Sequence, residues 1–480
     1  MEPLPSSAGL RYFLPEIGLL VVAALSMVVH VSYRQRGRRR AGVVSLAGLS
    51  AVALILLLSP VASGTFFSGH LAADSFSHFF KLVFLISGGL AVVLSFRFFD
   101  VEGSEPGEVY TLLPLTIIGM MLAVSSLDLV TTYVSFELFA IPSYILAGIF
   151  KKDRRSAEAG IKYFFLGTLS SAVMLLGMAL TFGLTGETAY PGILHGLAAA
   201  NARVALLGMI LFFVGLFFKA ALVPFHMWAP DVYEGAPTPL VVFLSTAPKA
   251  AVFAILVRLL VGLFGRFESQ WTLILQGIAL ITMFWGNIAA LTQQNIKRLM
   301  AYSSVAHAGY LAIGLAAWGE TARLGVLFYL FVYVFMNASA FGLVLLVRDG
   351  AGFGEEVSGL RGLARKSPLA AGCILVLLLS LTGIPPTAGF MGKYFLFAAA
   401  VEKGMVLLAV AGALNSVISL FYYFRIGRAI FMEEGSGAVR IEPSAPVLAI
   451  LGVSALVFLL FGILPFLLTD FASASRLAAG

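Results

Sequence analysis

Apolar stretches of about 20 residues recur along the whole chain, separated by short polar connections. A helix that crosses the hydrocarbon core of a membrane needs about 20 apolar residues. This pattern predicts an all-α polytopic membrane protein. The fourteen predicted transmembrane segments are 12–32, 41–61, 76–97, 108–126, 129–150, 158–184, 203–236, 239–264, 271–292, 297–317, 322–347, 367–401, 404–431 and 446–470.

The seventh and the twelfth segments are too long for one straight helix. At about 1.5 Å per residue, residues 203–236 would extend roughly 50 Å, whereas the hydrocarbon core is about 30 Å thick. The seventh contains LVPFHMWAP, with Pro224 and Pro230, and the twelfth contains LTGIPPTAGF, with Pro385 and Pro386. Proline removes a backbone donor and clashes with the preceding turn. Both segments are therefore predicted to be broken helices.

The spacing of the two breaks predicts the domain organisation. Breaks five segments apart fit two five-helix repeats, and an odd number of helices turns the second repeat upside down. In transporters, broken helices in corresponding positions of inverted repeats mark the ion path. The sequence thus predicts four parts: an N-terminal three-helix segment (1–107), a first repeat (108–264), a second, inverted repeat (271–431) and a C-terminal helix (446–480).

The basic residues predict the orientation in the membrane. If the fourteen segments alternate from an outside N-terminus, 19 of the 31 Lys and Arg residues fall in inside loops and six in outside loops. Cytoplasmic loops carry an excess of Lys and Arg. We therefore expect both termini to lie outside.

The composition excludes several classes of protein. With 60% hydrophobic and 11% charged residues, the chain is not a soluble globular domain. The net charge of +7 reflects basic loops, and no nucleic-acid partner is predicted. The lone Cys373 cannot form an internal disulfide or hold an iron–sulfur cluster. Walker, CxxC and HExxH motifs are absent, so we expect no cofactor and no metal in this chain.

Five charged residues fall inside otherwise apolar segments: Glu137, Lys162, Lys219, Lys249 and Lys393. Such residues are costly in a membrane and are candidate functional groups. Burial disfavours the ammonium form of Lys219, and a nearby Glu137 would stabilise it, so movement of the carboxylate could load or release a proton. The alternatives are a static salt bridge for this pair, and side chains of Lys162 and Lys393 that reach the membrane surface.

Lys249, near mid-depth after Pro248, is predicted to be a central relay. The histidines are weaker candidates. His226, in the first break, and His307, in SSVAHAGY, could pass protons near neutral pH or merely bond between helices. Asp231, with Glu234 in the same cytoplasmic turn, could form an entry funnel or simply be solvated.

Three stretches resemble the antiporter-like membrane subunits of bacterial NADH-quinone oxidoreductase (respiratory complex I). They are KAALVPFHMWAPDVYEGAPTPLVVFLSTAPKA (219–250), NIAALTQQNIKRLMAYSSVAHAGYL (287–311) and LSLTGIPPTAGFMGKYFLF (379–397). The turn PDVYEGAPTP is most similar to the N-type subunits, and the sister L and M subunits usually differ there. The Mrp-type cation/proton antiporter subunits are related to this family. The resemblance covers segments 4–13.

The resemblance implies roles for the charged residues and a setting for the chain. Glu137 would pair with Lys219, Lys249 would connect the half-channels, Lys393 would face the outer exit, and Lys162 would belong to the same axis. FMN, iron–sulfur clusters and quinone are expected only in partner subunits. The expected partners are other membrane-arm subunits, through them the peripheral redox arm, and membrane lipids. The expected location is a bacterial inner membrane.

Four functional hypotheses follow. The first is a redox-silent, proton-translocating subunit, driven by quinone reduction elsewhere in the complex. The second is a subunit of a multi-subunit Na+/H+ antiporter, which the PDVYEGAPTP turn disfavours. The third is a carrier for an organic solute, which would need more varied buried polar groups than lysines. The fourth is a scaffold whose buried charges only fix the register of its helices.

Overall fold

The computed structural model describes residues 11–59, 63–103, 106–350, 352–435, 440–475 and 477, with the backbone alone described at 34–38. The side chains of Arg34, Arg36 and Arg38, as well as Arg476 and both extreme termini, lie outside this description. The predicted positions of the two termini therefore stay predictions.

The described residues form an α-helical bundle, which confirms the predicted fold class. The helices are α1 (Leu14–Leu58), α2 (Ser75–Glu102), α3 (Val109–Ser125), α4 (Leu129–Ala147), α5 (Arg154–Thr185), α6 (Tyr190–Ala199), α7 (Ala202–Ala220), α8 (Trp228–Gly235), α9 (Thr238–Gly262), α10 (Glu268–Leu291), α11 (Ile296–Ala316), α12 (Glu320–Gly342), α13 (Leu363–Lys366), α14 (Pro368–Thr382), α15 (Ala388–Glu402), α16 (Val406–Phe431), α17 (Ala445–Ile463) and α18 (Phe466–Ala474).

Within the described part of the chain, twelve helical stretches are long and apolar enough to cross a membrane. Two more apolar helices, α3 and α14, are shorter. Each of the fourteen predicted segments contains a helix. Because α3 and the helices of the twelfth segment are shorter than a spanning helix, the count of fourteen spanning segments stays a prediction.

Helix α1 is a hairpin of two spanning stretches, although its helical assignment is continuous. A Cβ atom placed on Gly18 would lie 2.9 Å from Val52, and one on Gly48 would lie 2.3 Å from Val22. In a straight helix Gly18 and Val52 would be roughly 50 Å apart. The chain must therefore reverse between Leu14–Tyr33 and Arg39–Leu58, in agreement with the first two predicted segments.

The first predicted break lies between α7 and α8. Ala221 adopts a left-handed conformation (φ 58°), and the Val223–Pro224 peptide is cis. The freed backbone groups have partners: Trp228 Nε1 donates to the Phe218 carbonyl at 2.8 Å, and the Val223 N–H donates to Thr282 Oγ1 at 3.1 Å. This satisfies the requirement that backbone polar groups inside a membrane be paired.

The second predicted break lies between α14 and α15. Gly383 is left-handed (φ 87°), and the Pro385–Pro386 peptide is cis. The Gly389 N–H donates to Ser380 Oγ at 3.1 Å across the break. Both breaks are therefore present, with one correction: Pro230 lies in the first turn of α8, where its missing N–H leaves no helical bond unmade.

Three helices form the centre of the bundle. Helix α9 is entirely buried and α11 and α12 nearly so, whereas the two halves of α1, and α17, are only about a third buried. Side chains on α9, α11 and α12 therefore face protein and not lipid.

Short strands close the ends of the bundle. Strands β1 (Gly64–Phe66) and β2 (Leu71–Ala73) form an antiparallel hairpin with Phe66 opposite Leu71. Strand β3 (Val347–Asp349) lies between β4 (Gly352–Phe353) and β5 (Arg440–Ile441). The second sheet joins the loop after α12 to the segment before α17.

Two buried ion pairs, missed by the sequence analysis, hold the N-terminal helices in place. Lys81 Nζ on α2 lies 2.8 Å from Glu16 Oε1 on α1. Arg258 on α9 lies 3.0 Å from Asp74 Oδ2 and donates from Nε to the Val124 carbonyl at 2.8 Å. These pairs bind α1, α2 and α3 to one another and to the central helix.

We predict that Lys81→Met destabilises the protein far more than the double change Glu16→Leu with Lys81→Met. Removing one partner leaves an uncompensated buried charge, which costs about 3–5 kcal/mol, while removing both leaves none. The measurement is the thermal unfolding midpoint of the purified protein in one detergent. Equal midpoints for the single and double variants would show that this pair is not a structural constraint.

Candidate functional site

Lys219 is held in an aromatic cage. It lies in the last turn of α7, and its Nζ is buried without a hydrogen-bond partner among the described residues. The Nζ lies 4.5 Å from the ring centre of Tyr163, 4.6 Å from Tyr144 and 5.6 Å from Phe139. Ring faces attract a cation, so the cage can hold the ammonium form without a carboxylate in contact.

Glu137 on α4 is the nearest candidate partner of Lys219. Its Oε1 is also buried without a hydrogen-bond partner in the described part of the chain. Among the ion pairs within 4.0 Å that the described residues form, none joins Glu137 to Lys219, yet its carboxylate still acts electrostatically on the lysine. The direct pair that the resemblance implies is therefore open in this structure. The pair thus consists of a half-buried carboxylate and a buried ammonium whose Oε1 and Nζ atoms have no hydrogen-bond partner among the described residues.

Lys249 lies at the centre of the bundle on α9. Its Nζ donates to the carbonyl oxygen of Ser304 at 2.7 Å and to Ser304 Oγ at 2.6 Å. Tyr333 on α12 donates to the same Oγ at 2.7 Å. The lysine thus meets hydroxyl and carbonyl oxygens from both other central helices. Its central position is as the sequence predicts.

His307 lies one turn beyond Ser304 on α11. Its Nδ1 is 2.5 Å from the hydroxyl of Tyr329, and its Nε2 is 3.2 Å from that of Tyr423. Tyr423 is also hydrogen-bonded to Ser303 at 2.6 Å. The ring of Tyr333 lies 5.5 Å from both the imidazole and Lys249 Nζ, and the ring of Tyr310 lies 5.8 Å from the imidazole and 4.4 Å from Lys393 Nζ. His307 therefore shares a neighbouring tyrosine with each lysine and has a hydroxyl on each ring nitrogen.

Lys393 on α15 caps the broken end of α14. Its Nζ donates to the carbonyl oxygens of Leu381 at 3.1 Å and Thr382 at 2.9 Å, and lies 4.4 Å from the ring centre of Tyr310. The negative end of the helix dipole stabilises a cation there. Lys393 is buried, so the alternative of a side chain reaching the surface is wrong.

The two lysines beside the breaks are not strict counterparts. Lys219 belongs to the half-helix before the first break, whereas Lys393 belongs to the half-helix after the second. As the sequence predicts, each lysine lies in a broken helix. The local geometry around each ammonium nevertheless differs: ring faces at Lys219, carbonyl oxygens at Lys393.

Lys162 lies apart from the three buried lysines, in agreement with the alternative that its side chain reaches the surface. Its side chain is 41% exposed, and its Nζ lies 2.7 Å from Asp231 and 2.8 Å from Glu158. Arg298 pairs with Asp231 and Glu234, each at 2.9 Å. These residues line an open cavity of about 230 Å³. Lys162 lies only two turns into α5, so its side chain reaches this opening.

Asp231 is ionised in that cavity. Burial opposes the charge, but hydrogen bonds from Lys162 and Arg298 outweigh it and hold the pKa of Asp231 below its ordinary value. Asp231 and Glu234 form ion pairs around an opening, which favours the entry funnel among the two interpretations of this turn.

His226 lies apart from the other candidates. It is buried in the first break, its ring centre is 5.7 Å from that of Trp285, and its Nδ1 has no hydrogen-bond partner in the described structure. No hydrogen bond within the described residues links it to the lysines. The structure brings Lys219, Lys249, His307 and Lys393 into one row, but not His226.

Aromatic residues, which the sequence analysis missed, connect the row. Tyr163 stacks on Trp228 with ring centres 4.2 Å apart, and Trp228 meets Tyr233 edge-on at 5.7 Å. Tyr233 in turn donates to the carbonyl oxygen of Leu244 at 3.5 Å, on the helix that carries Lys249. The available signal was tyrosine in the middle of predicted spans, since this residue is normally enriched at membrane interfaces.

Among the described residues, no group of three or more His, Cys, Asp or Glu side chains is placed to hold a metal ion. The row contains amines, an imidazole, phenols and serine hydroxyls. Each of these can donate and accept protons, and together they can form a hydrogen-bonded path.

Comparison with known proteins supports the resemblance noted from the sequence. Residues 126–419 match the family described as NADH:quinone oxidoreductase/Mrp antiporter, TM. The chain is 40% identical over 468 residues to NADH-quinone oxidoreductase subunit N of Trichlorobacter lovleyi, covering 97% of this chain and 96% of that protein.

Solved structures share the fold over nearly the whole chain. One chain of respiratory complex I from Thermus thermophilus with bound aureothin has a TM-score of 0.82 at 33% identity, covering 96% of this chain and 100% of that chain. A chain of the Mrp complex from Dietzia sp. DQ12-45-1b has a TM-score of 0.81 at 21% identity, covering 97% of each chain, and shows the fold alone. The resemblance is thereby confirmed: the chain belongs to the NADH:quinone oxidoreductase/Mrp antiporter family of membrane proteins.

Proposed function

We propose that this chain is a redox-silent, proton-translocating subunit of the membrane arm of a bacterial NADH-quinone oxidoreductase. Quinone reduction elsewhere in the complex drives proton transfer through its buried Lys and Glu residues. The observation that carries the proposal is the row of buried titratable groups on the central and broken helices, whose polar contacts are hydroxyl and carbonyl oxygens. Relatives about 40% identical over most of the chain, named subunit N, support the setting.

Lys219 and Glu137 form the switch. When the carboxylate moves toward Nζ, the ammonium form gains a buried counter-charge; when it moves away, only ring faces remain. Opposite charges within about 4–6 Å favour the charged form of a group, and burial alone disfavours it. A small shift of Glu137 therefore changes the proton affinity of Lys219. The two groups titrate as a coupled pair.

His307 carries the proton between Lys249 and Lys393. Imidazole can accept a proton at one ring nitrogen and release one from the other, and both nitrogens face phenol hydroxyls. Lys249 lies against Ser304 and Lys393 against the end of α14, and among the described residues neither ammonium forms an ion pair with a carboxylate. Such ammonium groups release a proton more readily than ion-paired ones.

The open cavity around Lys162 and Asp231 is the proton entry on the cytoplasmic side. Both termini lie on the periplasmic side of the inner membrane, and residues 108–264 and 271–431 form the two inverted repeats. FMN, iron–sulfur clusters and quinone belong to partner subunits, and the other membrane-arm subunits connect this chain to the peripheral arm. A structural neighbour titled respiratory complex I supports these partners.

A subunit of a Na+/H+ antiporter is the second candidate, because the chain also shares its fold with an Mrp complex. The side chains of the row argue against sodium transport. Na+ requires oxygen ligands and is repelled by ammonium groups, and three of the four groups in the row are lysines. The row therefore suits protons better.

We predict that Lys219→Ala leaves the complex assembled but lowers proton translocation per electron roughly tenfold or more, since a positioned proton carrier is lost. The measurement is proton uptake by vesicles containing the purified complex, alongside quinone reduction and a native gel for assembly. The matched control is Lys366→Ala, because Lys366 is exposed and its replacement should leave proton translocation unchanged. A Lys219→Ala complex that pumps normally contradicts the proposal; one that fails to assemble favours the scaffold hypothesis.

We predict that His307→Gln abolishes proton translocation while preserving stability. Glutamine can still hydrogen-bond to Tyr329 and Tyr423 but cannot take up a proton. The measurement compares pumping and thermal midpoint in the same preparation. Retained pumping would show that His307 only bonds between helices.

We predict a stability difference between wild type and Asp231→Asn that does not depend on pH from 7 down to 5. Because the folded pKa lies below the ordinary value of about 3.9, the ion-pair contribution is complete above that value and is lost only as pH falls through the lower, folded pKa. A partly exposed pair contributes about 1 kcal/mol. A difference that disappears by pH 5, in thermal unfolding, would contradict the lowered pKa.

A further inference from the structure

A groove of about 710 Å³ lies where the first half of α1, the start of α3 and the end of α4 meet. It is separate from the buried row and from the cavity around Lys162. One end is polar and the rest is apolar. Its lining includes Met27, Val31, Leu112, Ile145, Lys151 and Lys152.

The apolar part of the groove opens onto the outer face of the bundle. Met27, Val31 and Ile145 are exposed large hydrophobic side chains. The first half of α1 is only about a third buried. In a spanning helix such side chains face lipid, so the groove is continuous with the surface that acyl chains cover.

The polar end of the groove is strongly basic. Lys151 and Lys152 are exposed at its rim. After the turn that follows the groove residue Val31, the second half of α1 begins with the exposed Arg39 and Arg40. The rim also contains one acidic residue, Glu108. Its Oε2 lies 3.9 Å from Nε2 of His30. The net charge favours an anion.

We propose that this groove binds an anionic phospholipid. The phosphate lies against Lys151 and Lys152, and an acyl chain extends along Met27, Val31 and Ile145. Lysines at a membrane surface attract anionic headgroups, and basic pockets between helices hold them. The lipid contacts three elements at once and so joins the α1 hairpin to the first repeat. The proposal is independent of proton translocation.

The experiment uses the assembled complex in phosphatidylcholine nanodiscs that contain a photoactivatable phosphatidylglycerol, with the diazirine on the acyl chain. After illumination, labelled peptides are identified by mass spectrometry. We expect labelling of peptides that contain Met27, Val31 or Ile145, and competition by phosphatidylglycerol but not by added phosphatidylcholine. The double variant Lys151→Gln with Lys152→Gln should lower this labelling roughly tenfold, while the exposed Lys366→Gln should not.

A second variant separates loss of the site from loss of folding. Val31→Trp changes an exposed side chain and fills the groove, so it should remove the labelling and leave assembly unchanged. Three results would overturn the proposal: labelling equal with a photoactivatable phosphatidylcholine, labelling unchanged in the double lysine variant, or labelling of the isolated chain but not of the assembled complex. The last would show that a protein covers the groove.

Discussion

The structure depends on how buried ammonium groups are accommodated in a bundle whose described buried carboxylates are already paired with other residues. These carboxylates are Glu16, Asp74 and Asp128. The ammonium groups of the three buried lysines are each surrounded by different groups. Aromatic faces surround Lys219, serine oxygens bind Lys249, and the carbonyl oxygens of a broken helix bind Lys393. Within the described part of the chain, none of the three lysines forms a close ion pair. Each ammonium is therefore stabilised only partly, and such a group can exchange its proton when its surroundings change slightly.

The helix breaks follow from the same constraint. A continuous helix has no free carbonyl oxygens at mid-depth; breaking α14 from α15 supplies the two that Lys393 uses. The left-handed Gly383 allows this approach, because a Cβ there would lie 2.9 Å from Cδ of Lys393. The first break is stabilised in a different way: the indole N–H of Trp228 donates a hydrogen bond to the Phe218 carbonyl oxygen near the end of α7. By contrast, close ion pairs occur where charge needs only to be fixed, as in Lys81 with Glu16.

Much of this could be predicted from the sequence, because apolar length and proline are local signals. They gave the helical segments, both breaks and the burial of Lys219, Lys249 and Lys393. Contacts between helices are not local, so the open gap between Glu137 and Lys219 and the tyrosines around His307 could not be predicted. The sequence could not decide between the two alternatives for Lys162, because its exposure depends on α8 and α11, which supply Asp231 and Arg298. The pair between Lys81 and Glu16 was missed because nothing in the chain signals that α1 and α2 meet there.

The central claim is that lysines of the buried row change protonation during turnover. Infrared difference spectra of the assembled complex, taken between resting and turning-over states with and without 15N-labelled lysine, test this directly. The account predicts isotope-sensitive ammonium bands that change during turnover and disappear in Lys249→Met. A pumping wild-type complex whose spectra contain no lysine-dependent change would contradict it.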